Sequence, residues 1–197
     1  MLSEIHHRVK NNLQIIDSLL GMQSDMLNNS AAISVLKESQ NRVKSMALIH
    51  QVLYQSLDFS RTDFSSFIQS LIDNLSVSYA LDTSRIVINI DTDQEVLLPI
   101  DVSIPLGLIL NELCTNAMKY AFTENRCGHI DICLKRRNPG QLLVCISDDG
   151  VGIPDDFDIE NTQSLGLQLV QLLSEQISAE LTIQRKNPTR FSLIVPL

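Results

Sequence analysis

Two adjacent histidines near the start of the sequence, His6 and His7, have side chains that could act as nucleophiles. They lie in residues 2–27, where apolar side chains recur every three or four residues and predict an amphipathic helix. At about 100° per residue, His6 falls on the flank of the apolar stripe, whereas His7 falls on the opposite, polar face. Because an exposed imidazole can reach a reactive group bound elsewhere, His7 is the better candidate.

The residues around His7 suit phosphoryl chemistry. Glu4 precedes it by three residues, and Lys10 and Asn11 follow it by three and four, so these side chains share its helix face. A carboxylate that accepts the proton of one ring nitrogen makes the other more nucleophilic, and the cation and amide would hold phosphoryl oxygens. The local pattern also fits a merely solvated face. His50 lies on the apolar stripe of a later helix and is predicted to be structural.

A second group of polar side chains lies in NELCTNAMKY, residues 111–120. Glu112 and Asn116 are four residues apart and share one face of a predicted helix. The Glu112 carboxylate suits a general base or positioning group, and the Asn116 amide oxygen suits a hard ligand for Mg²⁺. The Lys119 ammonium, three residues further on, would meet phosphate oxygens as a point charge. Taken alone, the stripe fits a solvated helix face equally well.

The segment SDDGVGIP, residues 147–154, follows an apolar strand. Asp148 stands at the end of that strand, where its carboxylate could accept a hydrogen bond from an adenine amino group. Gly150 and Gly152 let the backbone turn and approach a ligand closely. The Gly-x-Gly pattern alone is common in tight turns, and it lacks the spacing of the dinucleotide-binding and P-loop fingerprints.

The segment SLGLQLV opens another predicted helix, with Ser164, Gly166 and Leu167 at its start. Backbone N–H groups and the positive end of the helix dipole at such a start favour phosphates. The nine acidic and polar residues before it, 155–163, are predicted to form a short lid.

Two long helices must carry the histidine segment. The predicted helices, 2–27 and 31–57, are joined by a short polar turn and therefore form an antiparallel hairpin. The polar stretch 58–62 predicts a boundary between a helical domain, 1–60, and a second domain, 61–197. The hairpin leaves apolar surface uncovered, so we expect a homodimer with a four-helix bundle. The alternative is a monomer in which the second domain folds back over the apolar stripe. Its predicted core contains Ile5, Val9, Ile16, Val43, Ala47 and Leu53.

The second domain alternates between helical and strand patterns and predicts an α+β fold of about five strands and three helices. The predicted helices are 63–81, one that starts or kinks at Pro105 and ends near 122, and 165–177. The predicted strands are 85–91, 95–100, 129–136, 141–147, 180–186 and 190–195.

Composition limits the classes of function. A net charge of −8 argues against nucleic acid as the partner. The sequence shows neither an 18-residue apolar span nor a signal-peptide layout, so we expect a cytoplasmic chain without a membrane segment. The four cysteines lack metal-binding spacing and are predicted to be free thiols or small buried residues.

These motifs together resemble a known family. EIHHRVKNNLQ is similar to the phosphoacceptor box of the HRxxN histidine kinases, the group that includes the HWE kinases. In that group the phosphorylated histidine directly precedes arginine, which here is His7 before Arg8. The similarity continues through the second helix to ALIHQVLYQS. Larger classes of histidine kinase have a phenylalanine-rich box that is not evident here, and the HRxxN group commonly lacks it.

The three later segments resemble the nucleotide-binding boxes of the ATPase superfamily shared by gyrase, the Hsp90 chaperones, histidine kinases and MutL. The resemblance implies a two-layer α/β sandwich that binds ATP and Mg²⁺. It implies that Asp148 binds adenine, that Asn116 binds Mg²⁺, and that Glu112 and Lys119 lie near the phosphates. The glycines Gly150, Gly152 and Gly166 would shape the pocket and its lid.

The resemblance predicts an ATP-dependent protein-histidine kinase that autophosphorylates His7 and transfers the phosphoryl group to an aspartate of a response regulator. Phosphoryl transfer depends mainly on positioning and charge neutralisation, which these residues would supply. One alternative is a non-catalytic phosphotransfer scaffold with a degenerate nucleotide domain. Another is a serine kinase of the anti-sigma type, which would not need the histidine-bearing hairpin.

Overall fold

The computed structural model describes residues 2–55, 61–93, 96–123, 126–157 and 164–197. Two long helices, α1 (Leu2–Asp25) and α2 (Ser30–Gln55), open the chain and pack against each other. The Asn29 side chain accepts a hydrogen bond from the Ala32 N–H and caps the start of α2. Gln40 donates to the Asp17 backbone carbonyl at 3.0 Å, which fixes the antiparallel register. The predicted hairpin is confirmed.

The outer face of α1 is apolar and uncovered. Ile15, Ile16, Leu19 and Met22 are all exposed, and Ile16 is one of the residues predicted for a dimer core. Val9, Val43 and Ala47 are half-buried. The side chains of Ile5, Leu53 and His50 lie outside the described residues. The division of the chain between residues 60 and 61 stays a prediction.

The rest of the chain begins with a short strand, β1 (Arg61–Asp63), and a helix, α3 (Phe64–Ser78). The Asp63 carboxylate caps α3 by accepting hydrogen bonds from the Ser65 and Ser66 N–H groups. The elements that follow are β2 (Ile86–Thr92), β3 (Leu97–Pro99), α4 (Ile100–Asn116), β4 (Gly128–Asn138), β5 (Gln141–Asp148), α5 (Leu165–Gln176), β6 (Glu180–Gln184) and β7 (Thr189–Pro196).

Five strands form one mixed sheet in the order β2-β4-β5-β7-β6. The β2–β4 pair is parallel and the others are antiparallel. Alternate residues of the central strands are buried, as expected for a sheet with helices on one face. The core joins Ile130, Ile132, Val144 and Leu193 from the sheet with Phe64, Phe67, Leu71, Leu106, Ile109, Leu110 and Val170 from the helices. The predicted α+β fold is confirmed.

Two predicted elements are placed differently. The strand predicted over 95–100 is limited to β3, and it pairs with β1 rather than with the five-stranded sheet. A three-residue strand gives no alternation to read, so β1 fell in the predicted boundary. The helix predicted to start or kink at Pro105 begins at Ile100, with Pro105 buried inside it. It continues as a π-helical turn, Ala117–Ala121.

No helix among the described residues is long and apolar enough to cross a membrane. All four cysteines are free: Cys114 is buried, Cys127 is exposed, and Cys133 and Cys145 are half-buried. This agrees with the prediction of free thiols. Burial raises the pKa of the Cys114 thiol to about 12, so this side chain behaves as a small apolar residue.

Candidate functional site

A polar stripe runs along α4 into the π-helical turn. Its members are spaced so that they share one helix face, and they are Asn111, Glu112, Thr115, Asn116 and Lys119. The remainder of this part of α4 is apolar and buried in the core. The stripe therefore faces away from the sheet, towards α2 and the start of α5, which both contact α4.

Glu112 is held by an arginine of the hairpin. Arg42 Nε lies 2.6 Å from Glu112 Oε1, and Arg42 Nη2 lies 2.7 Å from Glu112 Oε2. The Arg42 and Glu112 side chains are only 16% and 6% exposed, and the Glu112 carboxylate raises the pKa of Arg42. Asn111 also donates to Glu112 Oε1, while the Ser45 hydroxyl donates to Asn111 Oδ1 at 2.6 Å. The carboxylate is thus fixed from two sides.

Lys119 is paired with the same helix of the hairpin. Its Nζ lies 2.5 Å from Glu38 Oε1 and 5.5 Å from the centre of the Tyr79 ring. Partial burial lowers the pKa of Lys119, but its hydrogen bond to Glu38 and the neighbouring tyrosines outweigh this and raise the pKa overall. Asn41 donates to the Tyr79 hydroxyl at 2.8 Å. The two charged residues predicted for phosphates, Lys119 and Glu112, therefore both contact α2.

A polar cavity of about 270 Å³ lies between α2, α4 and the start of α5. Ser164 and Gly166 bring the N-terminus of α5 to it, so the first backbone N–H groups of that helix border the cavity. A Cβ atom on Gly166 would lie 2.6 Å from Glu112 Oε2, so the helix approaches the carboxylate closely only because residue 166 has no side chain. The other residues that line this polar cavity include Glu38, Arg42, Thr115, Asn116 and Lys119.

A second cavity of about 160 Å³ is mainly apolar and contains one buried acid, Asp148. Asp148 Oδ1 accepts hydrogen bonds from the Gly150 N–H and the Thr189 hydroxyl, and neither bond uses Oδ2. Desolvation raises the pKa of Asp148 above its usual range, although these two hydrogen bonds oppose the shift. The apolar walls include Leu113, Ala117, Ile153, Phe157, Leu167 and Phe191.

The two glycines after Asp148 have distinct structural reasons. A Cβ atom on Gly150 would lie 2.3 Å from the backbone oxygen of Ala121, at the end of the π-helical turn. The next residue, Val151, donates its N–H to that same oxygen at 2.9 Å. Gly152 has a φ of +82°, a conformation that favours glycine, and it lines the apolar cavity. Gly150 thus lets the loop after β5 pack against the π-helical turn.

Asn116 and Tyr120 line both cavities. An apolar slot with a single buried carboxylate therefore adjoins a polar compartment that contains a lysine and a helix N-terminus. The slot suits a planar base with an amino group, and the compartment suits phosphates. Asn116 stands at the junction of the two cavities, and its side-chain amide oxygen is a ligand type suited to a metal ion bound to those phosphates.

The structure brings most of the predicted site residues together. Glu112, Asn116, Lys119, Ser164 and Gly166 line the polar cavity, whereas Asp148, Gly152 and Leu167 line the apolar one. Gly150 lies beside Asp148. The backbone of His7 belongs to α1, but its side chain lies outside the described residues, as do residues 158–163 of the predicted lid.

Sequence reasoning missed several residues of the polar cavity, among them Thr115, Glu38 and Arg42. Thr115 fits the spacing of the stripe, because it is three residues after Glu112 and four before Lys119. Glu38 and Arg42 gave no such signal, since charges four residues apart on a long helix usually form a solvated face. Their role depends on a contact between segments 70 to 81 residues apart in sequence.

Two protein families match the chain. Residues 4–79 match the family described as histidine kinase, and residues 101–197 match the histidine kinase-, DNA gyrase B- and HSP90-like ATPases. The chain belongs to the histidine kinases. This confirms the resemblance found in the sequence, and the ATPase family match supports the use of ATP.

Curated relatives and solved structures agree. The chain is 36% identical over 180 residues to the sensor histidine kinase PdtaS of Mycobacterium tuberculosis, covering 91% of this chain and 35% of that protein. It is 30% identical over 190 residues to the blue-light-activated histidine kinase 2 of Erythrobacter litoralis, covering 93% and 53%. The chain thus spans between a third and about half of these relatives' length. The blue-light-activated histidine kinase EL346 of Erythrobacter litoralis aligns with a TM-score of 0.77 and 26% identity, over 100% of this chain and 58% of that one.

Proposed function

We propose that this chain is the catalytic core of an ATP-dependent protein-histidine kinase of a two-component system. It phosphorylates its own His7 and passes the phosphoryl group to an aspartate of a response regulator. The observation that carries the proposal is the meeting of two cavities at Asn116, one suited to adenine and the other to a triphosphate.

ATP binding uses the two compartments differently. Asp148 accepts a hydrogen bond from the adenine amino group, while the apolar walls of the smaller cavity cover the ring. Lys119 and the N-terminus of α5 at Ser164 and Gly166 attract the phosphates. Gly150 and Gly152 keep the backbone close to the base.

Mg²⁺ fits the polar cavity. The ion prefers oxygen ligands and keeps several waters, so one protein oxygen with the phosphates is a sufficient donor set. Asn116 supplies that oxygen. Among the described residues no group of three or more His, Cys, Asp and Glu could hold a metal alone, which suits an ion that arrives with its nucleotide. When bound, Mg²⁺ neutralises charge that develops on the phosphates.

In the reaction, a ring nitrogen of His7 forms a bond to the γ-phosphorus as the bond to the β–γ bridging oxygen breaks, and ADP leaves. The imidazole loses one proton, which Glu4 is placed in sequence to accept. Both Glu112 oxygens accept hydrogen bonds from Arg42, through its Nε and Nη2, so Glu112 acts as a positioning group unless Arg42 releases it. In the second step an aspartate oxygen of the regulator bonds to phosphorus, and the phosphorus–nitrogen bond of His7 breaks.

The assembly we propose is a homodimer joined through the hairpin, with residues 1–60 and 61–197 as its two domains. It is supported by the uncovered apolar face of α1, which includes Ile15, Ile16 and Leu19. A second hairpin packed on this face would complete a four-helix bundle. ATP and response regulators as substrates imply a cytoplasmic location.

The test is mass spectrometry after incubation with Mg-ATP, under conditions that preserve phosphohistidine. We expect one acid-labile, base-stable phosphate on His7. His7→Gln should abolish it while nucleotide binding survives, and His6→Gln is the matched control that should still be labelled. An acid-stable phosphate would instead indicate a serine kinase, and no phosphate despite ATP binding would indicate a scaffold. If His6→Gln lost the label and His7→Gln kept it, His6 rather than His7 would be the acceptor.

A further inference from the structure

Thr115 lies on the polar stripe of α4, directly before Asn116. The residue is 8% exposed, and its side chain borders the polar cavity between α2, α4 and α5. Its hydroxyl Oγ1 is buried and has no hydrogen-bond partner among the residues that the structure describes. A buried hydroxyl without a partner is unusual in a folded protein, so this one needs a reason.

Two ordinary explanations do not apply to Thr115. A threonine inside a helix commonly donates to the carbonyl four residues earlier, yet no such bond forms here. A neighbouring side chain could also serve, but Asn111 and Glu112 are engaged with Ser45 and Arg42. Lys119, the next member of the stripe, is paired with Glu38. The hydroxyl is therefore available to form a hydrogen bond with a ligand bound in the cavity.

The position of Thr115 indicates which part of a ligand its hydroxyl would contact. It borders the polar cavity, together with Lys119 and the N-terminus of α5, and is not part of the lining of the apolar slot around Asp148. A ligand oxygen in this compartment would belong to the phosphate end of a nucleotide rather than to its base. Phosphate oxygens only accept hydrogen bonds, and a hydroxyl is a donor that can rotate towards them.

We propose that Thr115 binds the Mg-triphosphate group of the nucleotide, with its hydroxyl donating to a phosphate oxygen or exchanging a hydrogen bond with a metal-bound water. This inference rests on the proposed kinase function and adds a binding residue to it. The hydroxyl has no partner among the described residues because its partner belongs to the ligand. The hydroxyl thus makes the empty chain less stable and the loaded chain more stable.

The test replaces the hydroxyl without changing the shape of the side chain. Thr115→Val keeps the β-branched form, and Thr115→Ser is the matched control that keeps the hydroxyl. Calorimetry would give the affinities of each protein for adenosine, ADP and ATP, with Mg²⁺ and with EDTA, and thermal unfolding would give the Tm without ligand. One hydrogen bond to a charged group corresponds to roughly a 10- to 100-fold change in affinity.

We expect Thr115→Val to raise the Tm of the ligand-free protein, to weaken Mg-ATP binding roughly 10-fold or more, and to leave adenosine binding unchanged. Thr115→Ser should bind Mg-ATP nearly as well as the wild type. A loss that persists in EDTA assigns the contact to phosphate, and one seen only with Mg²⁺ assigns it to a metal-bound water. Equal Mg-ATP affinity in Thr115→Val and wild type overturns the inference, as does an equal loss in Thr115→Ser. Failure of the wild type to bind Mg-ATP would instead contradict the proposed function.

Discussion

Arg42 of the hairpin and Glu112 of the proposed nucleotide site form a bidentate ion pair, with N–O distances of 2.6 and 2.7 Å. Four residues earlier on α2, Glu38 forms a second ion pair with Lys119. The charges of the two pairs are reversed. In one pair α2 supplies the cation, Arg42, and in the other it supplies the anion, Glu38. Two ion pairs therefore connect the helical hairpin to the proposed ATP site.

The first prediction concerns Lys119. Because Glu38 holds the ammonium that we assign to the phosphates, Glu38→Gln should free it and tighten Mg-ATP binding several-fold, by roughly 1 kcal/mol for a partly exposed pair. Adenosine binding should not change. Glu175→Gln removes an equal charge from an exposed position of α5 and is the matched control. Weaker Mg-ATP binding in Glu38→Gln would show that Glu38 assists the nucleotide rather than competing with it.

Arg42→Ala should destabilise the fold. The Glu112 side chain is only 6% exposed, so losing its partner leaves a buried charge, at a cost of about 3 kcal/mol or more. Urea unfolding would measure the loss. Arg42→Lys keeps the charge but not the fork geometry and should lose less. A double variant, Arg42→Ala with Glu112→Gln, should recover part of the stability, and no recovery would argue against the ion pair as the cause.

Asp148→Asn should weaken adenosine and ATP binding alike. The substitution keeps the side-chain shape but presents an amide where an acceptor oxygen is needed, which should cost about 1–3 kcal/mol, or roughly 10- to 100-fold in affinity. Calorimetry with both ligands is the measurement. Unchanged dissociation constants would remove Asp148 from the adenine pocket, and a loss confined to ATP would move it towards the phosphates.

The raised pKa of Asp148 adds a pH dependence. Burial is its main cause, and protonation of the folded form begins at a higher pH than for an exposed aspartate. Adenosine affinity should therefore fall as pH falls through this raised pKa. The stability effect has the opposite sign: folding loses stability as pH rises from the unfolded to the folded pKa. Both dependences should be smaller in Asp148→Asn, and an identical pH profile of adenosine binding would contradict the assignment.

Asn116→Ala tests the metal ligand. If the amide oxygen binds Mg²⁺, the variant should lose most of the gain in ATP affinity that Mg²⁺ provides, while adenosine binding changes little. Titrations with Mg²⁺ and with EDTA would show this. Because Asn116 also borders the apolar slot, parallel losses for adenosine and Mg-ATP would indicate a disturbed pocket instead.

Ile16→Asp tests the proposed dimer. Ile16 is on the uncovered face of α1, where a charge would oppose packing against a second hairpin. Light scattering after size exclusion should give about twice the 22.1 kDa chain mass for wild type and one chain mass for the variant. Val77→Asp places the same charge on an exposed apolar position of α3 and should remain dimeric. A wild-type mass close to that of a single chain at micromolar concentration would contradict the proposed dimer.

The sequence predicted those features that depend on local patterns. The spacing of Glu112, Asn116 and Lys119 put them on one helix face because helix periodicity is a local property. Asp148 and the two glycines were found because a strand end and tight turn have recognisable residue types. The ion pairs of Arg42 and Glu38 could not be found this way, since they depend on how α2 packs on α4, a contact that no local pattern encodes.

The errors in the predicted fold have a similar cause. Proline lacks an N–H, which made Pro105 a candidate helix start, but the helix begins five residues earlier, directly after Pro99. The β1–β3 pair was missed because three residues carry little alternation, and the pairing joins segments separated by the whole of α3. Both cases required knowledge of the tertiary surroundings.

Glu38 and Arg42 are one helical turn apart on α2, and this spacing has a mechanical consequence. A side chain on a helix moves with the helix axis, so turning α2 by the angle of one residue, about 100°, carries the carboxylate and the guanidinium away together. Lys119 and Glu112 would then be uncovered in a single motion rather than in sequence. Rotation of α2 would thus change the partners of both side chains together, because Glu112 would lose its cation as Lys119 loses its anion.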